Sequence, residues 1–259
     1  MFYMRLSGDV RCNGADIRLS VTQEPRKLVI TIDGPAGAGK STVSKLLAKR
    51  LGYIYVDTGA MYRAVAVLAR DSEHANPLDE SALEDICLGL DLQFINKNKI
   101  LHLLANGQDV TTEIRRPEIS SLASAVSAQK VVRERLSEIQ RRMGAAGGVV
   151  LEGRDMGTVV FPDADVKFFL DANPEIRSKR RYLELEVKGE ETTPQEVYQQ
   201  MVERDRNDSS RELAPLKPAA DAIVLDSSHA QIEEVVQLML GYIEKKRKAP
   251  SELLSTKEA

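Results

Sequence analysis

Apolar residues along this chain fall into two recurring spacings. Leu28, Val29, Ile30 and Ile32, with Thr31 among them, form a short β-branched run, the pattern of a strand buried on both faces. A glycine-rich stretch follows, and then Val43, Leu46, Leu47 and Leu51 recur at helical spacing until Gly52 stops them. Residues 53–56 read as a second strand and 60–70 as a second helix. Later strands are predicted at 149–151, 166–170 and 222–225, each with a loop and a helical segment after it. Strands alternating with helices at this spacing predict an α/β fold, a parallel sheet with helices on both faces. Residues 90–110 depart from the rhythm. Two β-rich stretches there flank Asn96-Lys97-Asn98-Lys99, which predicts a hairpin inserted into the α/β body.

The two ends read differently. Ile17, Leu19 and Val21 alternate as a short edge strand would, yet residues 1–26 are expected to be a loose extension. They lack the apolar core of a secretory signal, and Asp9, Asp16 and Glu24 do not suit a transit peptide. Residues 246–259, charged and interrupted by Pro250, are expected to form a flexible tail. What lies between suits one large domain within a 259-residue chain. No apolar run approaches the roughly 18 residues that a membrane span needs. A net charge of −3 offers no general attraction for nucleic acid or an anionic membrane, so phosphate chemistry must come from a local cluster. Without tryptophan, and with 5% aromatics, the chain has no stacking platform for single strands. Cys12 and Cys87 are too few for a disulfide framework or a structural zinc site, and a reducing cytoplasm is the expected compartment.

The glycine-rich stretch is the first candidate for chemistry. Gly34-Pro35-Ala36-Gly37-Ala38-Gly39-Lys40-Ser41, with Thr42 after it, fits G-x-x-x-x-G-K-[ST] directly between a strand and a helix. Glycines let backbone N–H groups wrap phosphate oxygens, and the helix N-terminus adds partial positive charge. Lys40 can then bridge the outer phosphates of a nucleoside triphosphate, and the Ser41 hydroxyl can ligate Mg²⁺. A dinucleotide-binding turn is excluded because Lys40-Ser41-Thr42 stands where the third glycine belongs. A GTPase would need Asn-Lys-x-Asp, and Asn96-Lys97-Asn98-Lys99 lacks the Asp.

Asp57-Thr58-Gly59-Ala60-Met61-Tyr62-Arg63 delivers a carboxylate at a strand end and an arginine on the next helix. Glu152-Gly153-Arg154-Asp155-Met156-Gly157 does much the same at another strand. Two such loops at the carboxyl edge of one sheet point to a second, anionic substrate facing the triphosphate. Arg177, Arg180 and Arg181 follow Asn173-Pro174, a helix start. Arg177 and Arg181 share a helix face and suit a mobile lid that brings positive charge over a migrating phosphoryl group. Arg180, four residues before Glu184, reads equally well as part of a solvated salt bridge. The run 203–211 is dense in charge and by itself reads as solvated surface.

In this order, GPAGAGKST, VDTGAMYRA, EGRDMGTVVFPDA, KFFLDA and ERDRNDSSRELAPLKPAADA closely resemble bacterial cytidylate kinases, over residues 27–245. The resemblance implies a nucleoside monophosphate kinase: a P-loop NTPase-type parallel sheet, a monophosphate-binding insert at about 86–124 holding the hairpin, and a helical lid at about 174–190. It implies phosphoryl transfer from ATP to CMP and dCMP, in a monomer. Arg63 and Arg154 resemble the clamp on the acceptor phosphate; Ser124, Arg133 and Asp155 fall where cytosine is read. Arg204 and Asp208 match ribose contacts, Arg211 a further phosphate-facing arginine, and Thr58 stands where relatives carry Ser. Lys40, Asp57, Arg154, Arg177 and Arg181 are the implied catalytic set. Ser41 meets the metal, and Glu152, where some relatives carry Asp, orders its water. The rival readings are a P-loop kinase for UMP, AMP or shikimate, and a nucleotide-binding module without transfer activity.

Overall fold

In the computed structural model, residues 26–98 and 100–248 are described. Nearly all of the extension expected to be loose at 1–26, with the alternating residues Ile17, Leu19 and Val21, lies outside them, as do Cys12 and most of the C-terminal tail. Five strands form one parallel sheet: β1 (Val29–Asp33), β2 (Ile54–Asp57), β6 (Val149–Glu152), β7 (Val166–Asp171) and β8 (Ile223–Asp226). Their spatial order is β2-β6-β1-β7-β8. All four pairings are parallel, as crossover helices require.

Alternation along β1 sends Ile30 and Ile32 to one face, where α1 (Lys40–Leu51) and α8 (Ile232–Lys248) supply Val43, Leu47, Val236 and Met239. The opposite face packs α2 (Thr58–Arg70), α3 (Glu80–Leu88), α4 (Pro117–Val126) and α5 (Lys130–Gly144) through Met61, Val65, Leu83, Ile119 and Leu136. The predicted hairpin is β3 (Leu92–Lys97) with β4 (Ile100–Ala105), and β5 (Gln108–Asp109) extends it to three antiparallel strands. Asn98, with φ of 53°, makes its turn, a conformation asparagine tolerates.

A third, small apolar cluster joins α6 (Pro174–Val187) to α7 (Pro194–Ser210) through Leu185, Val197 and Met201. Asn173 caps α6 by accepting from the Glu175 N–H at 2.8 Å, with Pro174 in the first turn, as the sequence predicts. Thr193 and Glu196 form a capping box on α7. Two expectations change. Helix α8 continues to Lys248, past residue 246, where the tail is expected to begin. The charged run 203–211 is mostly the last turns of α7, and it turns Asp208 fully inward rather than to solvent.

Candidate active site

The sheet register gathers the site. Asp57 on β2 lies beside Glu152 on β6, and Glu152 beside Ile32 on β1, one residue before Asp33, so three carboxylates end adjacent strands at the carboxyl edge. Directly after Asp33 the chain turns into the phosphate loop. A Cβ on Gly34 would lie 2.0 Å from the Leu170 carbonyl oxygen of β7, and φ there is +144°, so only glycine can pass. The loop ends at Gly39, and α1 begins at Lys40 with its N–H groups open to the cleft.

That cleft, about 900 Å³, is lined by Ala36 to Thr42, Asp57, Thr58, Arg63, Ser124, Arg133, Glu152, Arg154, Asp155, Arg181, Arg204, Asp208 and Arg211. The tertiary structure therefore brings almost every residue singled out above into one concavity. Gly34 and Pro35, at the start of the phosphate loop, do not line the cleft. In a chain of net charge −3, the local cationic cluster that phosphate chemistry demands is present.

Lys40 is buried, and its Nζ donates to the Pro35 carbonyl at 2.6 Å. Burial, and then the Arg154 charge, push its pKa well below the ordinary lysine range. The Ser41 and Tyr55 hydroxyls both donate to Glu152 Oε1, at 2.7 and 2.6 Å, while buried Glu152 Oε2 has no partner among the described residues. Burial raises the Glu152 pKa, and repulsion from Asp57 adds to it. Asp57 is engaged at both oxygens. It caps α2 through the Ala60 N–H at 2.8 Å and pairs with Arg63 at 3.1 Å. Thr58 donates to the Glu152 carbonyl at 2.6 Å, tying the start of α2 to the end of β6.

The opposite wall is an arginine–aspartate lattice. Buried Arg133 pairs with buried Asp155 and donates to the Ser127 carbonyl at 3.0 Å. Arg154 Nε donates to Asp208 at 3.0 Å, and Arg211 takes the second Asp208 oxygen. Asp208, matched to ribose, thus spends both oxygens on arginines here. Burial, then crowding by Arg154 and Arg63, lowers the Arg204 pKa to about 9, and its buried Nε has no partner among the described residues. Burial, then Arg133 and Arg154, lowers Arg211 to about 10. Such crowding of guanidinium groups that stay charged at neutral pH marks a place for an anion.

Arg177 is the correction. It does not line the cleft. It is buried against the loop's rear, donating to the carbonyls of Ala172 at 2.8 Å and Ala36 at 3.0 Å and pairing with Asp205 at 2.7 Å. The shared helix face with Arg181 overlooked that α7 packs across α6 and covers the first turn. Arg180 takes a place on the wall instead, donating to the Ser227 carbonyl at 2.6 Å, and Glu184 pairs with Arg181 at 3.1 Å rather than with Arg180. Tyr62 and Ser127 are among the cleft residues not expected from the sequence. Tyr62 lines the cleft with a buried hydroxyl that has no partner among the described residues, and the Arg133 guanidinium stacks 5.7 Å from its ring centre. Ser127 lines the cleft beside Ser124. Tyr62 precedes Arg63 in the second motif, but nothing local distinguishes a cleft tyrosine from a core one.

Comparison with known proteins bears on this arrangement. A family model described as cytidylate kinase matches residues 30–245. A cytidylate kinase of Geobacter sp. (strain M21) is 55% identical over 221 residues, covering 85% of this chain and 94% of the relative. That of Geobacter sulfurreducens is 52% identical over 224 residues, covering 86% and 96%. Among solved structures, a shikimate kinase from Bacteroides thetaiotaomicron aligns with a TM-score of 0.47 and 13% identity over 84% of this chain and 98% of that one, too distant to bear on the acceptor. On the family match and on relatives more than half identical along nearly their whole length, this chain belongs to the cytidylate kinase family.

Proposed function

We propose that this protein transfers the γ-phosphoryl group of ATP to CMP, and to dCMP, giving ADP and CDP or dCDP. One observation carries the reading. The phosphate loop and the buried Arg133–Asp155 pair open into the same cleft, which Arg63, Arg154, Arg204 and Arg211 also line. Cytosine presents an N4 amino donor that a carboxylate can accept. Arg133 occupies Asp155 Oδ2, leaving Oδ1 for that donor. Uracil would set its O4 acceptor against the same carboxylate and leave both unpaired.

Mg²⁺ fits with ATP at Ser41 and Glu152: the hydroxyl and the orphaned Oε2 are oxygen donors side by side, as the cation prefers. Among the described residues no cluster of three His, Cys, Asp or Glu could hold a metal alone, which suits an ion bound largely by phosphates and water. When bound, it neutralises charge on the β- and γ-phosphates. Lys40 and the loop N–H groups hold those phosphates. Arg63, set by Asp57, and Arg154, set by Asp208, grip the acceptor phosphate in planar, two-point fashion. An acceptor phosphate oxygen attacks the γ-phosphorus as the bond to the ADP oxygen breaks. Arg181, on a lid formed by 174–190, covers the migrating group. No covalent intermediate is needed, and positioning with electrostatics carries the rate. Residues 86–124 form the monophosphate-binding insert, which supplies Ser124 to the cleft.

The test follows ADP production with ATP, Mg²⁺ and one acceptor at a time: CMP, dCMP, UMP, AMP and shikimate. Fast turnover with CMP and dCMP, weak turnover with UMP and none without acceptor is the expected result. ATP turnover indifferent to every acceptor would overturn it.

A further inference from the structure

We propose that Asp33 is a positioning residue: it fixes the loop bearing Arg154 and Asp155 at a set place above the phosphate loop, and so sets the gap between the two substrates. The inference rests on the acceptor reading above. Asp33 ends β1, is 4% exposed, and is bonded in sequence to Gly34, the first residue of the phosphate loop. The parallel ladder between β1 and β6 ends at Glu152, and one further bond, from the Gly153 N–H to the Ile32 carbonyl at 3.1 Å, holds the next residue. Beyond it the chain leaves the sheet and closes into a single π-turn, Met156–Val160.

Two N–H groups at the start of that turn are buried and off the ladder. Asp33 takes both: Met156 N–H to Oδ1 at 2.9 Å and Gly157 N–H to Oδ2 at 2.7 Å. Ile32 and Asp33, consecutive in β1, thereby bracket Arg154 and Asp155 from either side. The side chains of those two residues have their own partners in Asp208 and Arg133; the backbone that carries them is held here. A carboxylate is the side chain with two acceptors at this spacing, whereas an amide offers one acceptor and would set its NH₂ against the other N–H. Burying a carboxylate is costly, and burial does push the Asp33 pKa up to about 6 against the pull of both N–H groups. A fold needing only to end a strand has no use for it.

Packing gives the same loop a second handle that involves no charge. A methyl on Gly157 would lie 3.0 Å from Thr31 Oγ1, 3.2 Å from Lys167 Cδ and 3.4 Å from Asp33 Oδ2, lifting the turn off β1. The experiment compares wild type, Asp33→Asn and Gly157→Ala. KM for CMP is measured at saturating ATP, and ATP affinity is measured without acceptor using a fluorescent ATP analogue. Both variants should raise the CMP KM roughly tenfold or more and leave ATP affinity within about twofold, since an unsatisfied buried N–H carries a penalty of that order. A merely structural defect would lower the melting temperature and the active fraction without separating the two substrates. An Asp33→Asn effect confined to ATP, with Gly157→Ala unchanged in both, would overturn the inference and make Asp33 a charge acting on Lys40. A wild type inert towards CMP would overturn the acceptor reading, and this inference with it.

Discussion

Replacing Asp155 with Asn tests base reading at the atom that performs it. The carboxylate is 3% exposed and its partner Arg133 6%, so bulk water screens neither. As a carboxylate, Asp155 can only accept, which suits the N4 amino group of CMP and opposes O4 of UMP. The amide of Asn can present either its oxygen or its NH₂, so the penalty on uracil disappears. A single well-made base contact discriminates by about 1–3 kcal/mol, a factor of roughly 5 to 150. The ratio of kcat/KM for CMP to that for UMP should therefore fall by a factor of about 5 to 150. Stability should fall too. Stripping a buried charge of its counterion costs about 3–5 kcal/mol. Asn keeps an acceptor for Arg133, and the Ser127 carbonyl remains at 3.0 Å, so about 2 kcal/mol is the expected loss. That corresponds to a melting temperature lower by about 4–8 °C for a domain of this size. The assay is coupled ADP release at saturating ATP and Mg²⁺ with each acceptor varied, alongside thermal melts with and without CMP. An unchanged CMP-to-UMP ratio in a folded variant would refute the assignment of Asp155 to the base.

Three further outcomes separate structure from chemistry. Arg177→Ala should cost about 3 kcal/mol by leaving Asp205 unpaired at the back of the phosphate loop, whereas Arg181→Ala, whose pair with Glu184 is exposed, should spare the melting temperature and cut kcat roughly a hundredfold; melts and kcat that exchange these effects would reverse the two roles. Lys40→Ala should lower turnover by a factor of about 10² to 10³ or more without lowering the melting temperature, because burial makes the charged ammonium costly to the fold; normal transfer would take the phosphate loop out of the mechanism. Asp33 titrates near 6 in the folded chain against 3.8 in the unfolded one, so folding takes up a proton between those values and stability falls as pH rises through them. Relative to Asp33→Asn, urea melts should show wild type losing up to about 3 kcal/mol between pH 4 and 7, and parallel profiles would show that Asp33 is ionised normally.

Much of the site was legible because its signals are local. The strand at 28–32, the glycines and Lys40-Ser41 form one uninterrupted stretch, since wrapping a phosphate in backbone N–H groups needs neighbours in sequence. The hairpin was readable from its turn, and the cap at Asn173 from one residue and the proline after it. Arg177 and Arg181, by contrast, look alike on a helical wheel, and only the crossing of α7 over α6 buries one and exposes the other. Arg180 and Glu184 fit an i,i+4 pair, yet the Ser227 carbonyl, distant in sequence just beyond β8, competes better for the guanidinium. The run 203–211 reads as surface by charge density, and Arg154, just after β6, and Arg211, just after α7, neutralise Asp208 and turn it inward.

What the chain determines by itself is therefore its repertoire: which segments are strands or helices, where a phosphate loop lies, and which motifs carry arginine and aspartate. The sheet order β2-β6-β1-β7-β8 was decided only in the tertiary structure, and with it the juxtaposition of Asp57, Glu152 and Asp33 on neighbouring strands. Asp33 and its partners Met156 and Gly157 are 123 and 124 residues apart. Backbone preference and hydrophobic period act over a few residues, so they specify elements. Ion pairs and buried hydrogen bonds depend on distance in space, which packing alone sets.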